Sequence, residues 1–82
     1  MKAKPWKWAQ VQYADGRGWQ LFDGRGRQRA TVWPNGTWHS FDTDGIGGEN
    51  DTCANVQDAM DQATAAVVRQ GWAPWKIDIQ FA

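Results

Sequence analysis

The first half of the chain alternates short runs of aromatic and β-branched residues with turns that contain glycine. Three of these turns hold an Asp-Gly or Asn-Gly pair, which favours a tight hairpin because these residues tolerate positive φ values. A proline directly precedes the third pair, and proline is excluded from the central ladder of a sheet, which supports a turn there. The runs between the turns predict four antiparallel strands, over residues 7–13, 19–22, 27–33 and 37–41.

Side chains of a strand project alternately to its two faces, and this rule assigns the third predicted strand. Ala30 and Val32 share one face, which we expect to be buried. The opposite face then carries Arg27, Arg29, Thr31 and Trp33.

The first predicted strand does not keep one alternation along its length. Trp6 and Trp8 fall on one side of the chain, whereas Ala9, Val11 and Tyr13 fall on the other. A β-bulge, or a strand that starts only after Trp8, would account for this change.

A helix is predicted to follow an acidic, glycine-containing stretch, residues 42–52, in which we expect neither helix nor strand. Thr52 and Asn55 are both suitable N-caps, and Gly71 is suited to end the helix. Its apolar stripe recurs at steps of three and four residues, at Val56, Ala59, Met60, Ala63 and Val67. We expect this alanine-rich stripe to pack closely on the sheet.

The last segment, residues 75–81, alternates strictly between apolar and polar side chains. It predicts a half-buried strand that returns to the same sheet, with one face formed by Trp75, Ile77, Ile79 and Phe81. The chain is thus predicted to be one α+β domain over residues 1–82. Its architecture is an antiparallel β-meander of about four to five strands, packed on one amphipathic α-helix and followed by a C-terminal strand.

Aromatic residues are the main material for a core in so short a chain. The 82 residues include seven Trp, three Phe and one Tyr, and a domain of this size buries only about 60% of its unfolded surface. We therefore expect most of the tryptophans to be buried. The single cysteine, Cys53, excludes an internal disulfide, and since we find neither a signal peptide nor a membrane-spanning apolar run, we expect a soluble cytoplasmic protein.

The two halves of the chain carry opposite charge, although the whole chain is neutral. Residues 1–40 hold seven Lys or Arg and two acidic residues, a net charge of +5, whereas residues 41–82 hold two and seven, a net charge of −5. Such a division indicates either a dipolar surface that binds charged partners or two halves that pair with each other on folding.

Residue types that usually support catalysis are few and widely spaced. Cys53 and His39 lie on different predicted elements, which argues against a nucleophile and its base. Residues 42–51 match the start of a calcium loop, but Ile46 occupies the fifth position and the cysteine the twelfth, where a glutamate is needed. We therefore expect no enzyme activity, no cofactor and no bound metal, and a metal-dependent role of this loop is the weakest alternative.

The feature most suggestive of a binding site is a row of arginines in the third strand. Arg27 and Arg29 share a face with Trp33, while Arg25 and Arg17 lie in neighbouring turns. Such a face could enter a DNA groove, with arginine on guanine or phosphate, or could stack unpaired bases on the tryptophan. An ordinary solvated sheet face is the other interpretation, and the zero net charge weighs against nucleic acid.

Three strands ending in Gly-Thr-Trp-His-Ser-Phe-Asp-Thr (residues 36–43), followed by an alanine-rich helix, resemble plant AP2-type and integrase arm-type DNA-binding domains. Those families pack a three-stranded sheet on one helix and insert sheet-borne Arg and Trp into the major groove. The resemblance implies that Arg25, Arg27, Arg29 and Trp33 face DNA. It covers roughly half of the chain, and the acidic stretch and the last strand depart from it.

Together these patterns favour a small, non-enzymatic binding or accessory module whose partner is another protein. Trp and Arg at the surface of so small a domain suit a protein interface, where both residues are over-represented. In size and composition the chain is also similar to small phage and prophage proteins, which suggests such an origin. The alternative is a double-stranded DNA-binding domain that uses the outer face of the sheet.

Overall fold

Six strands and one helix make up the computed structural model, which describes residues 4–41 and 48–81. All the strands belong to one sheet in the order β5-β4-β3-β2-β1-β6, and neighbours are antiparallel except β1 and β6, which are parallel. The elements are β1 (Trp6–Tyr13), β2 (Gly16–Phe22), β3 (Gln28–Val32), β4 (Thr37–Ser40), β5 (Asn50–Thr52), α1 (Val56–Arg69) and β6 (Ile77–Gln80). The predicted α+β fold is confirmed, and the sheet has six strands rather than four or five.

The turn between β3 and β4 is held by the residues that predicted it. The N–H of Trp33 donates to the carbonyl oxygen of Thr37 at 2.8 Å, and the N–H of Gly36 donates to the carbonyl oxygen of Trp33 at 3.0 Å. The Asn35 side chain accepts from the N–H of Thr37 at 2.9 Å. Gly36 has a φ of +89°, and a Cβ there would collide with the carbonyl oxygen of Cys53, so glycine is required at this position.

β5 is a strand that the sequence pattern does not predict. Asn50 pairs with His39 and Thr52 with Thr37, and the hydroxyl oxygens of the two threonines lie 3.1 Å apart. All three β5 residues are exposed. The expectation of no strand in this stretch is therefore wrong for Asn50–Thr52, because hydrogen bonds to β4 rather than burial hold the strand. Residues 42–47, which carry most of the calcium-loop pattern, lie outside the described part of the chain.

The helix begins and ends at the expected signals. The side chain of Asn55 accepts from the N–H of Asp58 at 2.8 Å and caps the first turn, and Gly71 follows the last turn with a φ of +102°. The apolar stripe is buried at Ala59, Met60, Ala63, Ala66 and Val67. Over the described residues, the molecule has no helix long and apolar enough to span a membrane.

The helix packs chiefly on β3, β4 and β5, so it covers one half of a sheet face that we call the helix face. Residues that lie opposite one another on paired strands point to the same face of a sheet. Trp8, Leu21 and Ala30 form one such row, and it lies on the helix face. Trp6 and Trp8 both point into the core from an unbroken β1, which pairs with β2 without a register shift. Neither a bulge nor a strand that starts after Trp8 is therefore the explanation of its pattern, since β1 begins at Trp6. Apolar residues of β1 instead occupy both faces of the sheet.

Candidate protein-binding surface

The five residues predicted to form a binding face do not form one surface. Arg17 is exposed near the start of β2, and Trp33 is half-buried in the β3–β4 turn at the same end of the meander. Arg25 and Arg27 are exposed in the β2–β3 turn, which lies at the opposite end. Arg29 is buried.

Arg29 points to the helix face because of an irregularity in the sheet. Leu21 pairs with Ala30 and Phe22 pairs with Gln28, so the register shifts and Arg29 is the additional residue of a β-bulge. Alternation between the two faces is interrupted at such a residue. The prediction that Arg29 shares an outer face with Arg27 is therefore wrong.

The buried guanidinium has a carboxylate and an aromatic ring as partners. Arg29 Nε donates to Asp23 Oδ2 at 2.9 Å, and the guanidinium carbon lies 4.1 Å from the ring centroid of Trp72. The same carboxylate, through Oδ1, accepts from the backbone N–H of Arg25 at 2.8 Å and of Arg27 at 3.0 Å. Asp23 therefore ties the β2–β3 turn to the core, and Arg29 has a structural role.

Two opposed effects act on the ionisation of Asp23. Burial by itself raises the pKa of the carboxyl. Hydrogen bonds from the backbone of Arg27, the side chain of Arg29 and the backbone of Arg25, together with the charge of Arg29, outweigh burial, so that the pKa of Asp23 lies below its ordinary value. The pair is therefore ionised at neutral pH.

An uncovered apolar surface lies on β6, at one edge of the sheet. Ile77 and Ile79 pair with Trp6 and Trp8, which places them on the helix face. The helix covers the half of this face that is formed by β3, β4 and β5, and it leaves Ile79 49% exposed and Phe81 71% exposed. Trp75, just before the strand, is 56% exposed. We call Trp75, Ile77, Ile79 and Phe81 the β6 surface.

A groove of about 350 Å³ runs between the β6 surface and the helix. Trp8, Met60, Ile77 and Ile79 provide apolar walls, and polar side chains of the helix line its other side at Gln57, Asp61 and Thr64. Phe81 lies beyond these residues, with its ring 5.5 Å from that of Trp19 in an edge-to-face arrangement. Apolar side chains thus continue from the groove to the edge of the sheet.

A second cleft, of about 660 Å³, lies on the other side of the same sheet edge. Lys4, Lys7 and Arg25 line it, and over the described residues none of these three cations has a carboxylate within ion-pair distance. The acidic groups of the cleft are the paired Asp23 and Asp78, whose Oδ1 lies 3.5 Å from Lys76 Nζ. The edge that carries the β6 surface is therefore flanked by positive charge.

Three ion pairs join residues of the same half of the sequence: Asp23–Arg29 in the basic half, and Glu49–Arg69 and Lys76–Asp78 in the acidic half. Both cations of the acidic half and one of the two acids of the basic half are therefore neutralised locally.

Cys53 and His39 lie on opposite faces of the sheet. Cys53 packs against the core. His39 alternates with the buried Trp38 and Ser40 of β4, so it lies on the face of the sheet opposite the helix face, where its ring centroid is 4.9 Å from that of Phe41. This separation does not suit a nucleophile and its base. Residues 4–41 and 48–81 contain no cluster of three or more potential metal ligands.

The β6 surface is the candidate binding feature that the sequence pattern did not identify. Alternation identified Trp75, Ile77, Ile79 and Phe81 as one face, but that face was expected to be covered. Alternation reports which residues share a face and not whether another element covers it.

Comparison with other proteins gives no relative on which to base a function. The chain matches no protein-family model, no curated protein and no solved structure at a significant level.

Proposed function

We propose that this chain is a small non-enzymatic module that binds another protein through the β6 surface. The observation that carries the proposal is the exposure of Trp75, Ile79 and Phe81 together at the open edge of the sheet. Single exposed apolar residues are ordinary, but a contiguous group beside a groove is typical of an interaction site.

The chemistry of this surface suits a protein better than a small polar ligand. Trp is enriched among the residues that contribute most to protein interfaces, and these cluster where apolar pockets exclude water. The groove beside Met60 and Ile77 offers such a pocket for an apolar anchor. Unpaired backbone groups of an edge strand add main-chain hydrogen bonds for an extended partner.

Site-specific photocrosslinking tests the proposal. A photoreactive amino acid placed at Phe81 should crosslink to one protein in the cells that produce this chain, and the partner is then purified and titrated by calorimetry. Ile79→Asp should weaken that binding at least about tenfold, because a charge would enter an apolar contact.

Val68→Asp is the matched control for Ile79→Asp. The exposed fraction of Val68, 51%, is similar to that of Ile79, but Val68 lies on the helix and does not line the groove. Its substitution should leave the affinity unchanged and should lower the melting temperature only slightly, because an acid in the last turn of a helix opposes the helix dipole. Equal losses of affinity for the two variants, or a partner that binds Ile79→Asp as tightly as the wild type, would contradict the proposal.

Double-stranded DNA binding is the second candidate. Its support is the cluster of Lys4, Lys7 and Arg25 in the larger cleft, beside the exposed Arg27. Arg29 takes no part in this candidate, because its side chain is buried with Asp23.

The remaining parts of the proposal concern catalysis and location. We infer that the module is not an enzyme, because Cys53 and His39 project to opposite faces of the sheet. We also place it in the cytoplasm, where a single half-buried thiol stays reduced. Its similarity in size to phage proteins favours a phage or prophage origin.

A further inference from the structure

The partner of the β6 surface follows from the backbone of β6. Trp6 N–H donates to the carbonyl oxygen of Lys76 at 2.9 Å, and Trp6 pairs with Ile77. In a parallel ladder, alternate residues of a strand direct both backbone groups to the same neighbour. Lys76 and Asp78 therefore face β1, and the N–H and C=O of Ile77 and Ile79 point away from the sheet.

No described strand lies on that side of β6. Edge strands of soluble proteins are usually protected by charge, proline, bulges or short length. The other edge strand, β5, follows this rule, since it has three residues and all are polar. β6 is also short, but two of its four side chains are isoleucines and Ile79 is 49% exposed. Exposed apolar side chains on an edge strand favour pairing with a further strand.

A second copy of β6 fits this edge in one antiparallel register. An antiparallel pair places each residue directly opposite one residue of the other strand, on the same face. When Ile77 faces Ile77 of the second copy, Lys76 faces Asp78 and Trp75 faces Ile79. Because the N–H and C=O of Ile77 point outward, the two copies of Ile77 form a hydrogen-bonded pair. The Lys76–Asp78 pairs next to it are then non-hydrogen-bonded pairs, in which side chains approach most closely.

The neighbouring registers lack this complementarity. Centring the pair on Asp78 brings two aspartates face to face, which is destabilising. Centring it on Ile79 places Asp78 opposite Gln80 and forms no ion pair. Charge complementarity therefore selects the register centred on Ile77.

We propose that two copies of this chain associate through antiparallel β6 strands centred on Ile77, which joins the two sheets into one continuous sheet. The proposal rests on the proposed function, because it assigns the partner of the β6 surface. It accounts for the exposure of Trp75 and Ile79, which would pair across the twofold axis.

Charge reversal with sedimentation equilibrium tests the register. Lys76→Asp or Asp78→Lys alone makes both symmetry-related pairs repulsive, and each should raise the dimer dissociation constant by about ten- to hundredfold. An equimolar mixture of the two variants should associate as well as the wild type, because opposite charges then face each other. Asp51→Lys, on the other edge strand, is the control and should change nothing.

Each outcome decides a separate question. A wild-type chain that remains monomeric at about 1 mM overturns the dimer, and the protein-binding proposal survives if position 81 still crosslinks to a different protein. A dimer that Lys76→Asp does not weaken, while circular dichroism shows the variant folded, overturns the register. Failure of the mixture to restore association does the same. A monomer without any crosslinked partner overturns both proposals.

Discussion

The buried pair of Asp23 and Arg29 predicts that two substitutions at one interaction have unequal effects on stability. Asp23 accepts from two backbone N–H groups as well as from Arg29. Asp23→Ala therefore leaves the guanidinium buried without its carboxylate and also leaves two turn N–H groups without their acceptor. Arg29→Met leaves both turn hydrogen bonds intact, and it keeps an apolar side chain against Trp72.

The structure gives the size of the difference. Removing one partner of a buried ion pair costs about 3–5 kcal/mol, and each net hydrogen bond contributes about 1 kcal/mol. We expect Arg29→Met to lower the free energy of unfolding by about 3 kcal/mol and Asp23→Ala by about 5 kcal/mol. The second value equals the stability of a domain near the low end of the usual range, so about half of the molecules of this variant should be unfolded at 25 °C.

Urea unfolding followed by far-ultraviolet circular dichroism measures both losses, with an osmolyte added if a variant is unfolded in buffer. Asp23→Asn is the matched control, because its amide oxygen can still accept the two turn hydrogen bonds, and it should resemble Arg29→Met. Equal losses for Asp23→Ala and Asp23→Asn would refute the contribution of the turn bonds. Losses below about 1 kcal/mol for all three variants would refute the buried ion pair.

Ala63→Asp should unfold the domain, because Ala63 is fully buried on the sheet-facing side of the helix and a buried unpaired carboxylate costs several kcal/mol. Ala65→Asp, at an exposed position of the same helix, should leave the melting temperature nearly unchanged. Equal melting temperatures for the two variants would mean that the assignment of the buried side of the helix is wrong. Since the pKa of Asp23 is lowered on folding, the stability it provides is present above about pH 4 and is lost as the pH falls below its folded value. Urea titrations at about pH 6 and about pH 3 should therefore show a larger loss for the wild type than for Asp23→Asn; equal losses would exclude this linkage. If duplex DNA binds, replacing Arg25 and Arg27 together by Ala should reduce the slope of log affinity against log salt by about two without altering the melt; an unchanged slope would place DNA elsewhere.

Local signals predicted most of the fold. The Asn-Gly turn before Thr37 and the Asn55 cap each act through contacts a few residues away, and the structure contains both. The helical stripe around Ala63 depends only on its own period and is buried as expected. These features could be found because the interactions that create them are short in sequence.

Other features depend on packing between distant elements and could not be predicted in the same way. The bulge that turns Arg29 inward depends on the register between β2 and β3, and alternation within one strand contains no information about that register. β5 forms because its backbone pairs with β4, and its residues, Asn50–Thr52, have no apolar pattern from which a strand could be predicted. The exposure of Ile79 follows from where the helix crosses the sheet.

The pairing of β1 with β6 has a consequence for the order in which the chain folds. β1 to β4 contact their neighbours in sequence, so their hairpins close short loops. The β1–β6 ladder joins the first strand to the last and closes a loop of nearly the whole described chain, which carries the largest entropic cost. We therefore expect β6 to join the sheet late in folding. Like β5, it has one neighbouring strand, and its apolar face is incompletely buried, so we expect both edge strands to be released from the native sheet more readily than the central strands.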